Sequence, residues 1–465
     1  MARKNLIGGE WRGSDDVMEV RFPYDGSLVG AVSMANAADM DEAMEAAAAG
    51  YQITRKLPSY RRSEIIENIR AGLEQRFDEV VEAMILEGGK NYKTAAGETS
   101  RALETLKVSA EEARRLGGEV FSIDWTAAGA NRQGFTRRMP VGTVLGITPF
   151  NYPVNLACHK IGPAIAAGNS IIIKPAEKTP LSSVILAEIV LESGYPPQAF
   201  SMLNAWGPDT EQMALDPRIA MISFTGSASV GWMLKSKAGQ KKVTLELGGN
   251  AGVIVHNDAD LADAAAQSAA GGFANAGQNC ISVQRLLIQR DVFEDFTDCF
   301  VDEVKALKVG DPRDPEVDIG PMISQRDAER AEAWVDEAQR AGASVLVGGA
   351  RQGTMFPPTV MTETSPEMRV NCDEVFAPVV TLSPYDQWDD AVATINDSPY
   401  GLQAGVFTND VKRIMDAWER VNSVSTFRVD HMPYGGVKAS GYGREGVKYA
   451  IEDMTDLRLM VLNLG

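Results

Sequence analysis

Apolar positions in the first quarter of the chain recur with the period of a helix. From Ser59 onward Ile65, Ile66, Ile69, Leu73, Phe77, Val80, Val81 and Met84 return at helical spacing, and Gly88-Gly89 supplies a stop. A second helical segment runs from Gly97 to Leu116 and closes at Gly117-Gly118. From about Phe121 to Arg138 the helical period is lost and the pattern alternates loosely, which predicts a projecting hairpin.

After Pro140 the pattern changes to strands separated by helices. Residues 141–148 and 170–174 read as buried strands, with a helix from about Pro153 to Ala167 between them. Thr179-Pro180 opens another helix that ends at Gly194. Strands at 200–203 and 219–223 continue the alternation, and a second strand–helix series starts near 252–255. Such an order predicts an α/β protein with parallel sheets covered on both faces, divided near Gly248-Gly249. At 465 residues the chain exceeds what one core organises, so two or more domains are expected.

Composition narrows the function classes. A formal net charge of −18 argues against a nucleic-acid binder and against anionic membrane surfaces. No stretch has the length of apolar sequence needed to span a bilayer, and the N-terminus has no apolar signal core, so a cytoplasmic protein is expected. Cys158, Cys280, Cys299 and Cys372 show no CxxC spacing and read as reduced thiols. His159, His256 and His431 are not at metal-ligand spacing, so no metal site is expected and a Ser-His-Asp hydrolase is disfavoured.

Five short segments could carry chemistry. At Phe224-Thr-Gly-Ser-Ala-Ser-Val-Gly231 a strand becomes a helix, and small residues there let backbone amides approach a phosphate. The segment is not GxGxxG, and on its own a Gly-Ser turn before a helix is more often a plain structural cap. Lys174-Pro-Ala-Glu177 follows a strand at the carboxyl edge of a parallel sheet, where Lys174 and Glu177 could hold ribose hydroxyls; both could also be ordinary surface charges. Cys280 lies in the Gly-flanked turn Gly277-Gln-Asn-Cys-Ile281, after a small-residue helix from Ala264 to Ala276. Glu246 sits between Leu245 and Leu247, which could raise its carboxyl pKa toward that of a general base; otherwise it is a strand-end carboxylate on a surface. In Pro149-Phe-Asn-Tyr-Pro153 the Asn151 amide could donate to an oxyanion or cap a helix.

Taken in order, these segments resemble the aldehyde dehydrogenase superfamily over nearly the whole chain. The matching stretches are residues 148–153, 174–181, 224–227 with Gly231, 245–249, 277–281, Glu374-Val-Phe-Ala-Pro378, and Pro433-Tyr-Gly-Gly436 with Ser440-Gly441. The resemblance implies a Rossmann-type cofactor domain (1–120 and 141–247), an α/β catalytic domain (248–440) and a small β oligomerisation element (121–140 with 455–465). The Leu457–Asn463 segment would leave an apolar edge unless paired, in keeping with a homodimer or homotetramer.

The resemblance also implies roles. Cys280 would attack the aldehyde, Asn151 and the Cys280 amide would hold the oxyanion, and Glu246 would activate the water that hydrolyses the thioester. Pro149, Lys174, Glu177, Gly226, Ser227, Gly231, Glu374 and Phe376 would bind the cofactor, and Glu445 would relay protons. Glu177 would repel a 2′-phosphate, so NAD is expected over NADP. Glu246 favours hydrolysis over transfer to coenzyme A, since similar acylating members lack it. With Cys280, Glu246 and Asn151 all present, a catalytically silent protein is the weaker alternative.

For substrate, the sequence resembles the branch of lactaldehyde, phosphonoacetaldehyde and non-phosphorylating glyceraldehyde-3-phosphate dehydrogenases. Arg101, Tyr152, Asn279 and Arg428 are the implied substrate contacts, with Arg101 either an anion clamp or a solvent-facing helix residue. Asn279 stands where members specific for phosphorylated or phosphonate aldehydes carry arginine, so a small hydroxylated or singly charged aldehyde is expected. One departure is evident: the family's glycine turn and short strand before Asn422-Ser423 are missing, and Val421 alone bridges the gap.

Overall fold

The computed structural model describes residues 2–425 and 427–465. An eight-stranded sheet runs in the order Glu10–Arg12, Asn5–Ile7, Phe200–Met202, Ser170–Lys174, Thr143–Ile147, Ile219–Thr225, Lys242–Glu246, Gly441–Tyr442. The five strands from Phe200–Met202 to Lys242–Glu246 are parallel. The chain leaves Thr143–Ile147 toward Ser170–Lys174 on one side, then returns to Ile219–Thr225 on the other. The order therefore reverses beside Thr143–Ile147, and the crevice at such a switch point is where doubly wound sheets bind ligands.

A six-stranded sheet follows, ordered Ser344–Val347, Thr359–Thr362, Val379–Tyr385, Val283–Gln289, Ala251–Val255, Ala404–Phe407. Its five strands after Ser344–Val347 are parallel. A third sheet pairs Thr455–Asn463 with Arg132–Pro140 and that strand with Val120–Ser122, all antiparallel. The outer edge of Thr455–Asn463 is unpaired among the described residues, and Leu457, Leu459, Met460, Val461 and Leu462 are exposed on it.

Apolar clusters line both faces of the large sheets. The strands Thr143–Ile147 and Ser170–Lys174 are buried at every position, which is why they read as continuous apolar runs and not as alternations. Among the described residues no helix is long and apolar enough to cross a membrane.

The structure redraws several elements. The long helix expected from Ser59 is two helices, Ser59–Gln75 and Phe77–Gly88, broken where Arg76 leaves helical geometry (φ −104°, ψ 23°). The next helix starts at Tyr92, earlier than Gly97, because the Asn91 side chain accepts the Thr94 amide and caps it. The Ala37–Thr54 helix escaped the pattern search. Its core face uses Ala43 and Ala47 beside Met40 and Met44, so its apolar signal is weak. The small-residue helix expected to reach Ala276 stops at Phe273. Between the Val411–Arg420 helix and Ser425 there is no strand among the described residues, and Ala404–Phe407 forms the edge of the second sheet.

Candidate active site

A cavity of about 510 Å³ opens at the switch point of the first sheet and reaches residues of the second. Apart from the relay candidate Glu445, which does not line it, fourteen of the fifteen residues singled out from the sequence do: Cys280, Glu246, Asn151, Pro149, Lys174, Glu177, Gly226, Ser227, Glu374, Phe376, Arg101, Tyr152, Asn279 and Arg428. Gly231 does not. It is buried one turn into the Ala228–Lys237 helix, where a Cβ would collide with the Leu247 side chain, so it serves close helix–strand packing.

The turn before Cys280 is strained. Asn275 (φ 54°, ψ 37°) and Ala276 (φ 54°, ψ 39°) are left-handed, as is Gly277 (φ 67°). Left-handed backbone costs a non-glycine residue about 1–2 kcal/mol, so surrounding contacts must hold the turn. Gly277 is obligatory, since a Cβ there would collide with the Ala377 carbonyl. The Asn151 amide donates to the Gln278 carbonyl (3.0 Å), and Asn275 Nδ2 donates to the same carbonyl (3.3 Å). Gln278 Nε2 donates to the Asn275 carbonyl (3.2 Å), and its Oε1 accepts the Ile323 amide (2.9 Å). The cysteine turn is thereby tied to Asn151.

Cys280 Sγ lies 3.4 Å from the Tyr434 hydroxyl and 3.8 Å from Asn279 Oδ1. Burial pushes the thiol up to about 11, while Arg428 and then the Tyr434 hydroxyl pull it down. The Arg428 guanidinium stacks 3.6 Å from the Tyr434 ring centroid. Its side chain is only 9% exposed, yet among the described residues Nε and Nη2 have no hydrogen-bond partner, and Glu445 Oε2 is 3.9 Å away. A buried, always-charged guanidinium with free nitrogens on a cavity wall is equipped to receive an anionic or hydrogen-bond-accepting group.

Glu246 ends the Lys242–Glu246 strand, and neither of its oxygens has a partner among the described residues. Burial, and next the charge of Glu445, raise its carboxyl well above the ordinary value, while Arg428, Lys160 and Arg444 oppose the rise. Glu445 goes the other way. Burial would raise it, but Lys160, His159 and Arg428 hold it below the ordinary carboxylate range. Lys160 Nζ donates to both Glu445 Oε1 and Thr225 Oγ1 at 2.8 Å. Of the two carboxylates, Glu445 is therefore the one held as an anion, and Glu246 the one whose proton affinity is raised.

Arg101 is partly exposed, with 35% of its side chain open to solvent, but it is not free. It lines the cavity but is held by Asp430 through Nη2 (2.8 Å) and Nε (3.2 Å). His159 Nε2 (2.9 Å) and Asn155 Nδ2 (3.3 Å) reach the same carboxylate. Burial alone would raise the Asp430 carboxyl, but His159 and Arg101 drive it far below the usual range. Arg101 thus meets a fixed anion, which leaves less of its charge for a ligand than the sequence implied.

At the other end of the cavity Lys174 Nζ donates to Glu177 Oε1 (2.6 Å), next to Gly207 and Thr210. The Ala228–Lys237 helix points its N-terminus toward this end, and Ser227 makes no side-chain cap, so its first amides are free. Glu374 Oε1 accepts the Gly249 amide (2.9 Å), and burial raises its carboxyl to about 7. Phe376 is left-handed (φ 48°) and packs edge-on to Phe150 at 5.8 Å. An ammonium–carboxylate pair, an uncapped helix N-terminus and a further carboxylate, spaced along one cleft, form a donor set that fits a dinucleotide.

Sequence reasoning missed Tyr434, Lys160, Asp430 and Gln278 as site residues. Lys160 carried a signal: it is a lone cation in the otherwise apolar Pro153–Ala167 helix, fully buried. Tyr434 lay inside a quoted motif without a role. Asp430 and Gln278 had no local signal, because their importance comes from contacts across 271 and 127 residues of chain.

The sequence model of the Aldehyde dehydrogenase family matches residues 11–460. The 3-sulfolactaldehyde dehydrogenase of Priestia aryabhattai is 43% identical over 466 residues, covering 98% of this chain and 97% of its own. The crystal structure of aldehyde dehydrogenase 21 from Physcomitrella patens, in complex with its reaction product succinate, superposes with a TM-score of 0.97. It is 37% identical and covers 100% of this chain and 98% of its own. The NADP-dependent glyceraldehyde-3-phosphate dehydrogenase of Bacillus halodurans C-125, complexed with NADP, gives a TM-score of 0.97. It is 32% identical, with 100% of both chains covered.

Proposed function

Because the chain belongs to the aldehyde dehydrogenase family, we propose that this NAD(P)-dependent oxidoreductase converts a small aldehyde, hydroxylated or bearing a single negative charge, to its carboxylic acid. The carrying observation is that Cys280, Asn151 and Glu246 line one cavity with the dinucleotide-compatible groups.

Each residue has a distinct task. Cys280 Sγ forms a bond to the aldehyde carbon, and the resulting oxyanion is held by the Asn151 amide and the Cys280 backbone N–H. The nicotinamide, when bound, supplies the hydride acceptor that takes this adduct to the thioester. Glu246 removes a proton from water, the C–S bond breaks, and the acid leaves with the thiol restored. Free carboxylate oxygens on Glu246 support this task, since no protein group competes with water for them. The relay role expected of Glu445 is not kept in this reading: Lys160 holds it ionised, and it acts on Glu246 through its charge. Lys174 and Glu177 would hold the adenosine ribose, Gly226, Ser227 and the open helix N-terminus the pyrophosphate, and Glu374 the nicotinamide ribose beside Phe376, with Pro149 lining the cleft. Glu177, placed on Lys174, favours NAD over NADP.

The substrate class rests on the two arginines. Arg101 is engaged by Asp430, whereas Arg428 keeps two nitrogens free beside the cysteine. That favours one negative charge or a hydroxyl over a phosphate, in line with Asn279 before Cys280. The two large sheets support a cofactor domain of 1–120 and 141–247 and a catalytic domain of 248–440. A bridging element of 121–140 with 455–465 has a free apolar edge that suits a homodimer or homotetramer.

The test is NAD(P)H formation with lactaldehyde, sulfolactaldehyde, succinate semialdehyde and glyceraldehyde-3-phosphate, each with NAD and with NADP. Turnover is expected with the first three above the phosphate ester, and Arg428→Met should raise KM for the anionic substrates only. Continued turnover by Cys280→Ser would sink the mechanism.

A further inference from the structure

We propose that Tyr434 is a catalytic residue whose hydroxyl donates a hydrogen bond to Cys280 Sγ and holds the sulfur as thiolate for attack on the aldehyde. The inference deepens the proposed function and rests on Cys280 being the nucleophile.

Tyr434 is 2% exposed, and among the described residues the only hydrogen-bond partner of its hydroxyl is Cys280 Sγ at 3.4 Å. A buried tyrosine hydroxyl normally finds a partner, and here the partner is the reacting atom. Direction of donation follows from the neighbours. The thiol hydrogen has its own acceptor in Asn279 Oδ1 (3.8 Å), which leaves the sulfur lone pairs to receive the phenol O–H. Once the thiol proton has passed to cavity water, the Asn279 contact is lost and the Tyr434 contact strengthens, because its acceptor is now charged.

The fold fixes the hydroxyl in place. Tyr434 exchanges backbone hydrogen bonds with Glu445, N–H to O at 3.0 Å one way and 2.7 Å the other. The next residue, Gly435, has φ +150°, and a Cβ there would lie 2.8 Å from Glu246 Oε1. The aromatic ring is therefore anchored between the general-base strand and the cysteine turn. Arg428 stacks on its other side and withdraws electron density from the ring, which makes the phenol a better donor.

Charged and titratable groups around the sulfur divide evenly. Glu374 and Glu246 disfavour the thiolate from the sides of the second and first sheets, whereas Arg428 and Tyr434 favour it. Tyr152, just before the Pro153–Ala167 helix, lines the same cavity, and its own hydroxyl is pushed up to about 12 by burial. Tyr434 also stays protonated, since burial raises it well above the tyrosine value. It is a donor across the working pH range.

The experiment is the pH dependence of Cys280 alkylation by iodoacetamide, located by peptide mass mapping, in the intact protein and in Tyr434→Phe. Phenylalanine keeps the ring and its stacking and removes one oxygen. The alkylation midpoint is expected to rise by about one pH unit, a tenfold loss of thiolate at neutral pH. The rate at the alkaline plateau should stay within about twofold. In turnover, kcat/KM should fall about tenfold near neutrality and recover as pH rises. Tyr434→Met, read by the same alkylation midpoint, guards against misfolding of the first variant and should shift the same way. Unmoved midpoints in both variants would overturn the proposal, and a shift without recovery of kcat/KM at high pH would overturn the catalytic role. Failure of the wider mechanism has a separate signature, namely NAD(P)H formation surviving Cys280→Ser.

Discussion

Replacing Glu98 by glutamine isolates the worth of one buried charge beneath the site. Glu98 lies on the Tyr92–Arg115 helix with its side chain 0% exposed, and its Oε2 pairs with the Lys90 ammonium, 3% exposed. Its Oε1 accepts the amides of Val154 (2.9 Å) and Asn155 (3.0 Å), capping the helix that follows Asn151 and Tyr152. Glutamine can still accept those amides, so Glu98→Gln removes the charge and leaves Lys90 buried without its counter-ion. Breaking a buried pair in this way costs about 3–5 kcal/mol.

An independent bound gives the same size. The variant can relieve the strain by discharging Lys90, and neutralising an ordinary lysine at pH 7 costs about 4.6 kcal/mol, or 1.36 kcal/mol for each of roughly 3.4 pH units. The sign of the pH effect follows. Burial already lowers the Lys90 pKa, and Glu98 is the main group opposing that, with a smaller contribution from Glu87. Without Glu98 the folded pKa drops further below the unfolded one, so the unfolded variant binds more protons and stability rises with pH. The deficit of Glu98→Gln should therefore shrink between pH 7 and pH 9, by up to about 1.4 kcal/mol per unit where only the wild-type lysine is charged. Urea unfolding followed by tryptophan fluorescence at pH 7, 8 and 9 measures it. A deficit below about 1 kcal/mol at pH 7, or one that does not narrow by pH 9, refutes the reasoning. Lys90→Met with Glu98→Gln should recover most of the loss, because no unpaired charge remains buried.

Two further outcomes test the chemistry. Glu246→Gln should give a burst of about one NAD(P)H per site and then stall, because the thioester forms but water is not activated. In the unmodified protein the acid limb of kcat should lie well above the ordinary glutamate pKa, since burial and Glu445 raise Glu246 and only its ionised form is a base; steady turnover by Glu246→Gln would remove that role. Gly277→Ala must place a Cβ against the Ala377 carbonyl at φ 67°, which should cost about 3 kcal/mol or more and abolish activity below the unfolding temperature. A thermal-shift curve and an activity assay that both match the unmodified protein would mean the turn is not rigid.

What the sequence determined by itself was the order of parts. Continuous apolar runs such as 143–147 and 170–174 marked parallel strands because a strand buried on both faces leaves no polar alternation. Local chemistry marked Cys280, Glu246, Lys174 and Glu177, since a glycine-flanked cysteine, a leucine-flanked glutamate and a strand-end lysine are unusual within a few residues of chain. Tertiary structure decided which charges are available. Arg101 and Arg428 were indistinguishable as letters, yet a carboxylate 329 residues away engages the first, while the second keeps free nitrogens over Tyr434. It likewise set Glu246 and Glu445 apart, because Lys160 from a distant helix holds Glu445 ionised while burial and the Glu445 charge raise the Glu246 carboxyl. Pairings of this kind depend on distance and desolvation, and one-dimensional spacing carries neither.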